Sequence, residues 1–372
     1  TYFMDDPLHG DQFNQPDKRT TSGLNSSHTW HTHQNNQKWD ITIGIEAQRD
    51  LIHNSLNHTE ARRTLATTRR DRIVENSLGM YLETSAIWNK TLRTNIGLRS
   101  DHYAFHVSSD RAENSGNNND HLISPSFSVI ATPWQNTELY LNLGKGFHSN
   151  DARATTMRVD PKTLEVTSPA RGLVAARGKE LGIRTELSTK LHSSFSLYQL
   201  DFDSELNFLG DAGTTEAGAA SRRTGVEFSS NYQVNRNLQF SLDAAYAKAR
   251  SRTTTPTHLP GAIAGVAQFT ASIDKQGPWS GALRLRYFGP RALTDNNQIR
   301  SQSSTTLNAQ FNYKISPRSR LELQVFNLTN RTANAIEYYY ASQLKNETQA
   351  QEDRHFHPAE PRSFRVVWVV GF

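Results

Sequence analysis

The chain has no cysteine in 372 residues. Disulfides, thiolate metal sites and cysteine nucleophiles are therefore excluded together, and the absence is compatible with an oxidising envelope compartment. No run of about 18 apolar residues occurs, so the sequence holds no candidate transmembrane helix. Charge of one sign is not concentrated either. Lys and Arg (41) are spread along the chain among Asp and Glu (36), and a net charge of +5 arranged this way gives no expectation of nucleic-acid binding. A G-x-S-x-G elbow, an H-E-x-x-H helix and a G-x-x-x-x-G-K-[ST] phosphate loop are all missing, which argues against an enzyme. No cofactor is expected. At the N-terminus, Thr1-Tyr2-Phe3 carries no initiator Met and none of the charged or apolar regions of a signal peptide. The expectation is a removed leader or a fragment, and the strand count below favours a fragment.

What the sequence does contain is period-two alternation. Leu139, Leu141 and Leu143 lie on one face and Glu138, Tyr140, Asn142 and Gly144 on the other. Leu238, Phe240, Leu242, Ala244 and Tyr246 oppose Gln239, Ser241, Asp243 and Ala245. Leu307, Ala309, Phe311, Tyr313 and Ile315 oppose Asn308, Gln310 and Asn312, and Leu321, Leu323 and Val325 oppose Glu322 and Gln324. A helix turning 100° per residue would scatter these side chains around its circumference, whereas a strand collects them on one face. Similar segments read as strands at Thr20–His31, Trp39–Ala47, Leu78–Trp88, Leu92–Arg99, Leu181–Leu187, Thr224–Tyr232, Ala267–Ile273 and Leu283–Tyr287. Between Phe195 and Phe208 the parity switches at Leu197-Tyr198, which reads as a bulge or a misplaced boundary.

Short turns near Asn89-Lys90, Thr132–Asn136, Ser188–Lys190, Val234–Asn237, Gln276-Gly277-Pro278 and Ser316–Ser319 alternate with long polar connections. The long ones are Asp50–Arg70, Ser108–His121, His148–Arg177, Leu209–Ser221, Ser251–Ala264, Gly289–Ser304 and Leu328–Arg362. Short inner turns and long outer loops characterise outer-membrane barrels, whose half-polar strands also account for a mean hydropathy of −0.67. The fold class expected is therefore all-β: an antiparallel transmembrane β-barrel of roughly 15 strands. The odd count implies missing N-terminal strands and places Thr1–Arg19 in an outer loop. Leu139, Leu141, Leu143, Phe240, Leu242, Phe311 and Leu323 are expected to face lipid.

The last strand aligns Phe364, Val366, Trp368, Val370 and the terminal Phe372 on one face, an arrangement that resembles the C-terminal signal of outer-membrane proteins. Several further stretches resemble the barrel of TonB-dependent receptors. Gly144-Lys145-Gly146-Phe147-His148-Ser149-Asn150-Asp151-Ala152-Arg153 is similar to that family's passage from strand to outer loop. Arg177-Gly178-Lys179-Glu180-Leu181-Gly182 is similar to its "RG-E-G" strand start, and Phe326-Asn327-Leu328-Thr329-Asn330-Arg331 to its "NL-N" step. His355-Phe356-His357-Pro358-Ala359-Glu360-Pro361-Arg362-Ser363-Phe364 resembles the "P-R" entry into the final strand. The resemblance implies that residues 1–372 are the C-terminal part of a barrel of about 22 strands whose lumen is closed by a plug. It also implies residence in the bacterial outer membrane among lipid and lipopolysaccharide, and uptake of a scarce ligand of the ferric-siderophore or cobalamin kind. Energy would come from TonB, engaged through the absent N-terminal part. A passive pore, or a barrel that binds surfaces without energy coupling, is the alternative.

Within that frame the ligand candidates lie where strands meet long outer connections: His148, Asn150, Asp151 and Arg153 after the Gly-Phe step, and Tyr338, Tyr339 and Tyr340 in the last long connection. The first group offers donors, acceptors and both signs of charge; the second, following Glu337, offers flat stacking surface. Loop packing or an interfacial aromatic girdle is the plain reading of the tyrosines. Arg62, Arg63, Arg69 and Arg70 either attract anions such as lipopolysaccharide phosphates or form a solvated charged loop. His31/His33 and His355/His357 have same-face spacing, but without Cys or a clear acidic partner they read as solvated connections, and no metal site is expected. Asp203, Glu205, Glu227, Asp243 and Glu322 are expected in the lumen, where charge escapes the lipid penalty. Gly144-x-Gly146 reads as relief of crowding in a strand.

Overall fold

A computed structural model describes residues 2–3, 13–34, 37–161, 164–204, 206–208, 215–342 and 348–371. The strands, in chain order, are β1 (Tyr2–Phe3), β2 (Phe13–Gln15), β3 (Asp17–Gln34), β4 (Gln37–Glu60), β5 (Arg63–Asn89), β6 (Leu92–Ser109) and β7 (Gly116–Trp134). Next come β8 (Thr137–Ser149), β9 (Leu173–Ser188), β10 (Leu191–Phe202), β11 (Leu206–Phe208), β12 (Thr215–Ala217), β13 (Ser221–Gln233) and β14 (Leu238–Ser251). The last are β15 (Gly265–Gln276), β16 (Trp279–Phe288), β17 (Ser304–Ser316), β18 (Ser319–Phe326), β19 (Asn334–Ser342), β20 (Gln351–Pro358) and β21 (Ser363–Val370). One sheet takes 17 strands, while β11–β12 and β19–β20 are separate hairpins. Among the described residues no helix is long and apolar enough to cross a membrane. The chain divides into two compact units. The first comprises Thr1–Val129, Asn142–Gly178 and Phe202–Gly218; the second comprises Ile130–Leu141, Lys179–Asp201 and Ala219–Phe372.

In the first unit β3 to β6 form an antiparallel meander in continuous register. Its two faces differ as the alternation requires. Ile43, Ile45, Leu78, Met80, Leu82, Ile96 and Leu98 are exposed on one face. The opposite face buries Ile52, Ile73, Phe105 and Val107 with Ala152 in the unit's small apolar core. Large exposed apolar residues on one face are what a lipid solvent permits. At the turn end Trp39 and Trp88 meet edge-on at 5.0 Å, and Trp88 Nε1 donates to Thr94 at 2.8 Å, as amphipathic rings do at a membrane interface.

The second unit repeats the scheme with shorter strands. Cross-strand partners build apolar rows on the outward face: Leu242 opposite Phe269, Phe269 opposite Leu285, and Leu285 opposite Leu307. Another row joins Phe311, Leu323 and Val366. Leu141, Leu143, Leu242, Phe311 and Leu323 are exposed as expected, while Leu139 and Phe240 are half-buried. Trp279 packs on Phe311 and Tyr313, and Trp368 Nε1 donates to Ser319 at 2.8 Å. The inner face carries aromatic cover for glycine: a Cβ at Gly182 or Gly225 would run into Tyr140 or Tyr198, as one at Gly44 in the first unit would run into Tyr81.

Several expected connections are strand instead. Asp50–Arg70 is not a loop: β4 runs to Glu60 and β5 starts at Arg63, joined by Ala61 and Arg62 at φ 47° and 64°. Both central residues are left-handed, as a two-residue hairpin turn requires, yet neither is the Asn or Gly that would announce it. The connection at Ser108–His121 shrinks to a short 3-10 turn, Ala112–Asn114, and Leu328–Arg362 carries the β19–β20 hairpin. Thr1–Arg19 is likewise not all loop, because β1, β2 and the start of β3 fall within it; Thr1 and residues 4–12 lie outside the described residues. No bulge is needed at Leu197-Tyr198, since β10 is continuous and the odd residues after Leu197, Gln199 and Asp201, are polar members of the same face. Glu205, Phe372 and residues 209–214 lie outside the described residues.

Candidate functional site

The end of β8 does not open into a loose loop. Asn150 is buried; its N–H donates to Gly172 O at 2.8 Å and its Nδ2 to Arg171 O at 2.7 Å. Asp151 then caps a 3-10 turn, Ala152–Thr155, by accepting from the Arg153 N–H at 2.9 Å. The Arg153 guanidinium closes on the same carboxylate through Nε at 2.8 Å and Nη2 at 2.5 Å, and its Nη1 donates to Asn54 Oδ1 at 2.6 Å. Asn54 in turn donates to Asp17 at 3.2 Å. Further along, Asn114 Oδ1 accepts the N–H groups of Arg158 and Val159, each at 2.9 Å. Ala152 reaches the Ile52–Ile73–Phe105 core, so the segment lies against the inner face of β4 to β6.

Under this segment lies a cavity of about 340 Å³ lined by Asp17, Arg19, Asp50, Asn54, Glu75, Ser77, Tyr103, Asn150, Asp151 and Arg153, among others. It sits beyond the exposed apolar stretch of each strand. Burial pushes the Glu75 carboxyl up, reinforced by the charges of Asp50 and Asp151 and opposed by Arg19. Burial also works to raise Asp151, but the Arg153 hydrogen bonds and charge outweigh it and hold the carboxyl below its ordinary value. The cavity thus offers acceptors, two guanidinium groups and one aromatic ring, with Tyr103 packed edge-on against Phe147 at 5.8 Å. That mixture suits non-covalent capture of a polar ligand.

Of the residues named from sequence, Asn150, Asp151 and Arg153 converge on this cavity. His148 does not join its lining and packs against Phe202 at 5.9 Å. Asp17, Arg19, Asp50, Asn54, Glu75 and Tyr103 are not among the residues named from sequence, because Asp17, Arg19, Asp50 and Asn54 fell in expected outer loops and Glu75 and Tyr103 in neither an expected strand nor an expected connection. Their signal was parity: Asp50, Ile52 and Asn54 continue the inner face of β4, and Ile73, Glu75 and Ser77 that of β5.

Tyr338, Tyr339 and Tyr340 lie on β19, all half-buried. Tyr340 stacks on His355 at 3.9 Å and Tyr338 meets His357 edge-on at 6.5 Å. Glu337 beside them is buried and accepts from the Gln302 N–H at 3.0 Å. His355 and His357 are therefore residues of a strand, not of a connection. The same holds for His31 and His33 on β3, and His31 does have an acidic partner, Asp40, at 2.7 Å.

The basic segment is also corrected. Arg69 is buried with Asp71, Nε lying 3.1 Å from Oδ2 in an alignment too oblique for a hydrogen bond. Burial pushes the Asp71 carboxyl up and Arg69 down. Arg62 occupies the turn, and Arg63 and Arg70 lie in β5. Asp203 binds Arg177 at 3.0 Å, and Glu322 binds Arg320 at 2.6 Å. Glu227 and Asp243 line a second cavity of about 460 Å³ with Tyr140, Glu180, Gln268 and Arg286, within the second unit.

The family model described as TonB dependent receptor-like, beta-barrel, matches residues 2–328. The chain belongs to the TonB-dependent receptor β-barrel family. It is accordingly an outer-membrane protein, and the all-β class read from alternation holds. The unliganded ferric citrate transporter FecA superposes with a TM-score of 0.72 at 15% identity, over 96% of this chain and 55% of that one. The copper transporter OprC gives 0.73 at 18% identity, over 97% and 57%. The ferric yersiniabactin uptake receptor FyuA from Yersinia pestis gives 0.70 at 12%, over 97% and 55%. At these identities the likeness establishes the fold, and this chain spans little more than half the length of each structure. No curated relative matches it.

Proposed function

We propose that residues 1–372 act as one barrel portion of an outer-membrane receptor that takes up a scarce small molecule with energy relayed by TonB. The supporting observation is the cavity beneath the segment that follows β8, where Asp151 and Arg153 face Asp17, Asp50 and Glu75. An outer segment tied to the wall by buried hydrogen bonds presents fixed donors and acceptors, the preorganised surface that ligand capture needs. The solved structures of this fold include proteins described as ferric citrate, ferric yersiniabactin and copper transporters or receptors. Metal chelates are thus the first ligands to test, with cobalamin next, and TonB would engage protein outside residues 1–372. Tyr338, Tyr339 and Tyr340 supply a further aromatic surface for a ligand with a flat face. The test is uptake of radiolabelled ferric citrate, a ferric catecholate, a copper complex and cobalamin by cells making the full-length receptor, with and without TonB. Uptake of one of them that vanishes without TonB is expected, reduced severalfold when the three tyrosines become Ala at equal amounts of folded receptor. Entry that ignores TonB would replace this reading with a passive pore.

A further inference from the structure

Beyond the apolar stretch of β3 to β6, the two faces of the sheet differ in charge: the outward face carries bases alone, and the inward face carries acids together with Arg19 and Arg69. Register places Lys18 opposite His53 and His53 opposite Arg72, a row running straight across three strands. These residues have the outward parity of Ile43, Ile45, Leu78 and Met80, so they point the same way as the lipid-facing side chains. Arg49 has that parity too and directly follows Ala47, the last small apolar residue of β4 on this face. His102, opposite Leu78, continues the face on β6. All five are exposed, and none has an ion pair or a side-chain hydrogen bond among the described residues. On this face the positions between Leu24 and Lys18, and their partners on β4, β5 and β6, include no Asp or Glu. The acids at the same levels, Asp17, Asp50, Asp71 and Glu75, all point inward.

Strands lie about 4.8 Å apart, so the backbones at Lys18 and Arg72 are about 10 Å apart and their long side chains can close on one phosphate. Arg49 lies two pairs, about 13 Å of strand, nearer the apolar stretch, within reach of a second anionic group on the same molecule. Solvated basic surface is common, but it usually carries acids among its bases, as where Arg222 in the second unit is matched by Asp201 at 2.6 Å. Here the cations are unmatched among the described residues and sit at the edge of a lipid-facing wall, where headgroups begin. We infer that Lys18, Arg49 and Arg72, with His53 between them, form a docking site for the phosphorylated headgroup of lipopolysaccharide. The proposal rests on the outer-membrane placement and not on which ligand is imported, so its failure would leave the uptake reading untouched.

The test uses the full-length receptor purified from outer membranes, with Lys18→Gln, Arg49→Gln and Arg72→Gln combined. Lipopolysaccharide retained per receptor is measured after washes of increasing salt, and affinity is measured against purified lipopolysaccharide, the same lipid dephosphorylated, and inorganic phosphate. Each basic residue beside an anionic headgroup supports binding, so loss of three should weaken it about a hundredfold at low salt. Lys18→Arg with Arg49→Lys and Arg72→Lys should retain it, and heat-modifiable gel mobility reports that all variants are folded. Dephosphorylated lipid should bind the native receptor as weakly as intact lipid binds the triple variant. Equal retention by native and triple-Gln receptors would overturn the site. So would full competition by millimolar inorganic phosphate, which would mark a general anion patch.

Discussion

β4 and β5 of the first unit run for 24 and 27 residues, whereas β16 and β18 of the second run for 10 and 8. A tilted strand needs about 9–11 residues to cross a bilayer, so the shorter strands nearly match the lipid and the longer ones go on for as many residues again. Within the bilayer one face must be apolar, and Leu242, Phe269 and Leu285 meet that demand in the second unit as Ile43, Leu78 and Met80 do in the first. Beyond it neither face is bound by that rule. The extended ribbon uses the freedom to sort charge, gathering its acids on the inward face and leaving only bases on the outward one, and to build a cavity under the segment after β8. Strand length past the membrane is thus where the two units part, and where the candidate chemistry of the first unit is found.

The comparison can be broken first in the extension. Asp71→Ala would leave Arg69 buried without its partner, a change that costs about 3–5 kcal/mol in buried pairs. Replacing both residues together with Leu and Met should recover most of that loss. Hydrogen exchange over 50–75 in the purified receptor should show the single variant opened and the double variant near native. If the single variant stays closed, the ribbon is not held by its buried polar contacts. In the membrane-matched strands the sensitive face is the other one. Leu242→Arg, or Leu141→Arg, places charge towards lipid at a cost of about 2–4 kcal/mol near the midplane and should lower the yield of heat-modifiable barrel. Arg at the inward Gln268 should not, and equal yields at both faces would invert the assignment of inside and outside.

How far the sequence could be read follows the same division. Alternation at Leu238–Tyr246 and Leu307–Ile315 located β14 and β17, because lipid enforces an apolar residue at every second position. The extensions of β4 and β5 were read as loop because Asp50–Arg70 has no such contrast; Ile52 and Leu56 face inward with Asn54, while His53 and Ser55 face out. The Ala61-Arg62 turn hid the hairpin for want of a turn residue. Asp151 and Arg153 were legible from their place after the Gly-Phe step. Their partners Asn54 and Asp17 lie 99 and 136 positions from Arg153 in the numbering, and only register brings them together. Arg69 was misread for a related reason: burial beside Asp71 depends on the ribbon, not on local composition.

The smallest effect, and the sharpest on the cavity, comes from Glu75. Its carboxyl is raised by burial and by Asp50 and Asp151, with Arg19 pulling the other way. A carboxyl whose folded value lies above its unfolded value binds its proton more tightly in the folded state. The stability so gained is complete below the ordinary carboxylate value and is lost as pH rises through the raised folded value. Glu75→Gln carries no such loss. The variant should match the native protein near about pH 4 and become the more stable of the two towards about pH 8, by under about 1 kcal/mol because the site is partly solvated. Amide exchange of the Asp151–Thr155 turn, compared at the two pH values, reads the difference where it acts. A gap that is constant with pH, or one that favours the native protein at high pH, would mean that Glu75 does not share the cavity with ionised Asp50 and Asp151, and the inward gathering of acids on the extended ribbon would lose its clearest electrostatic consequence.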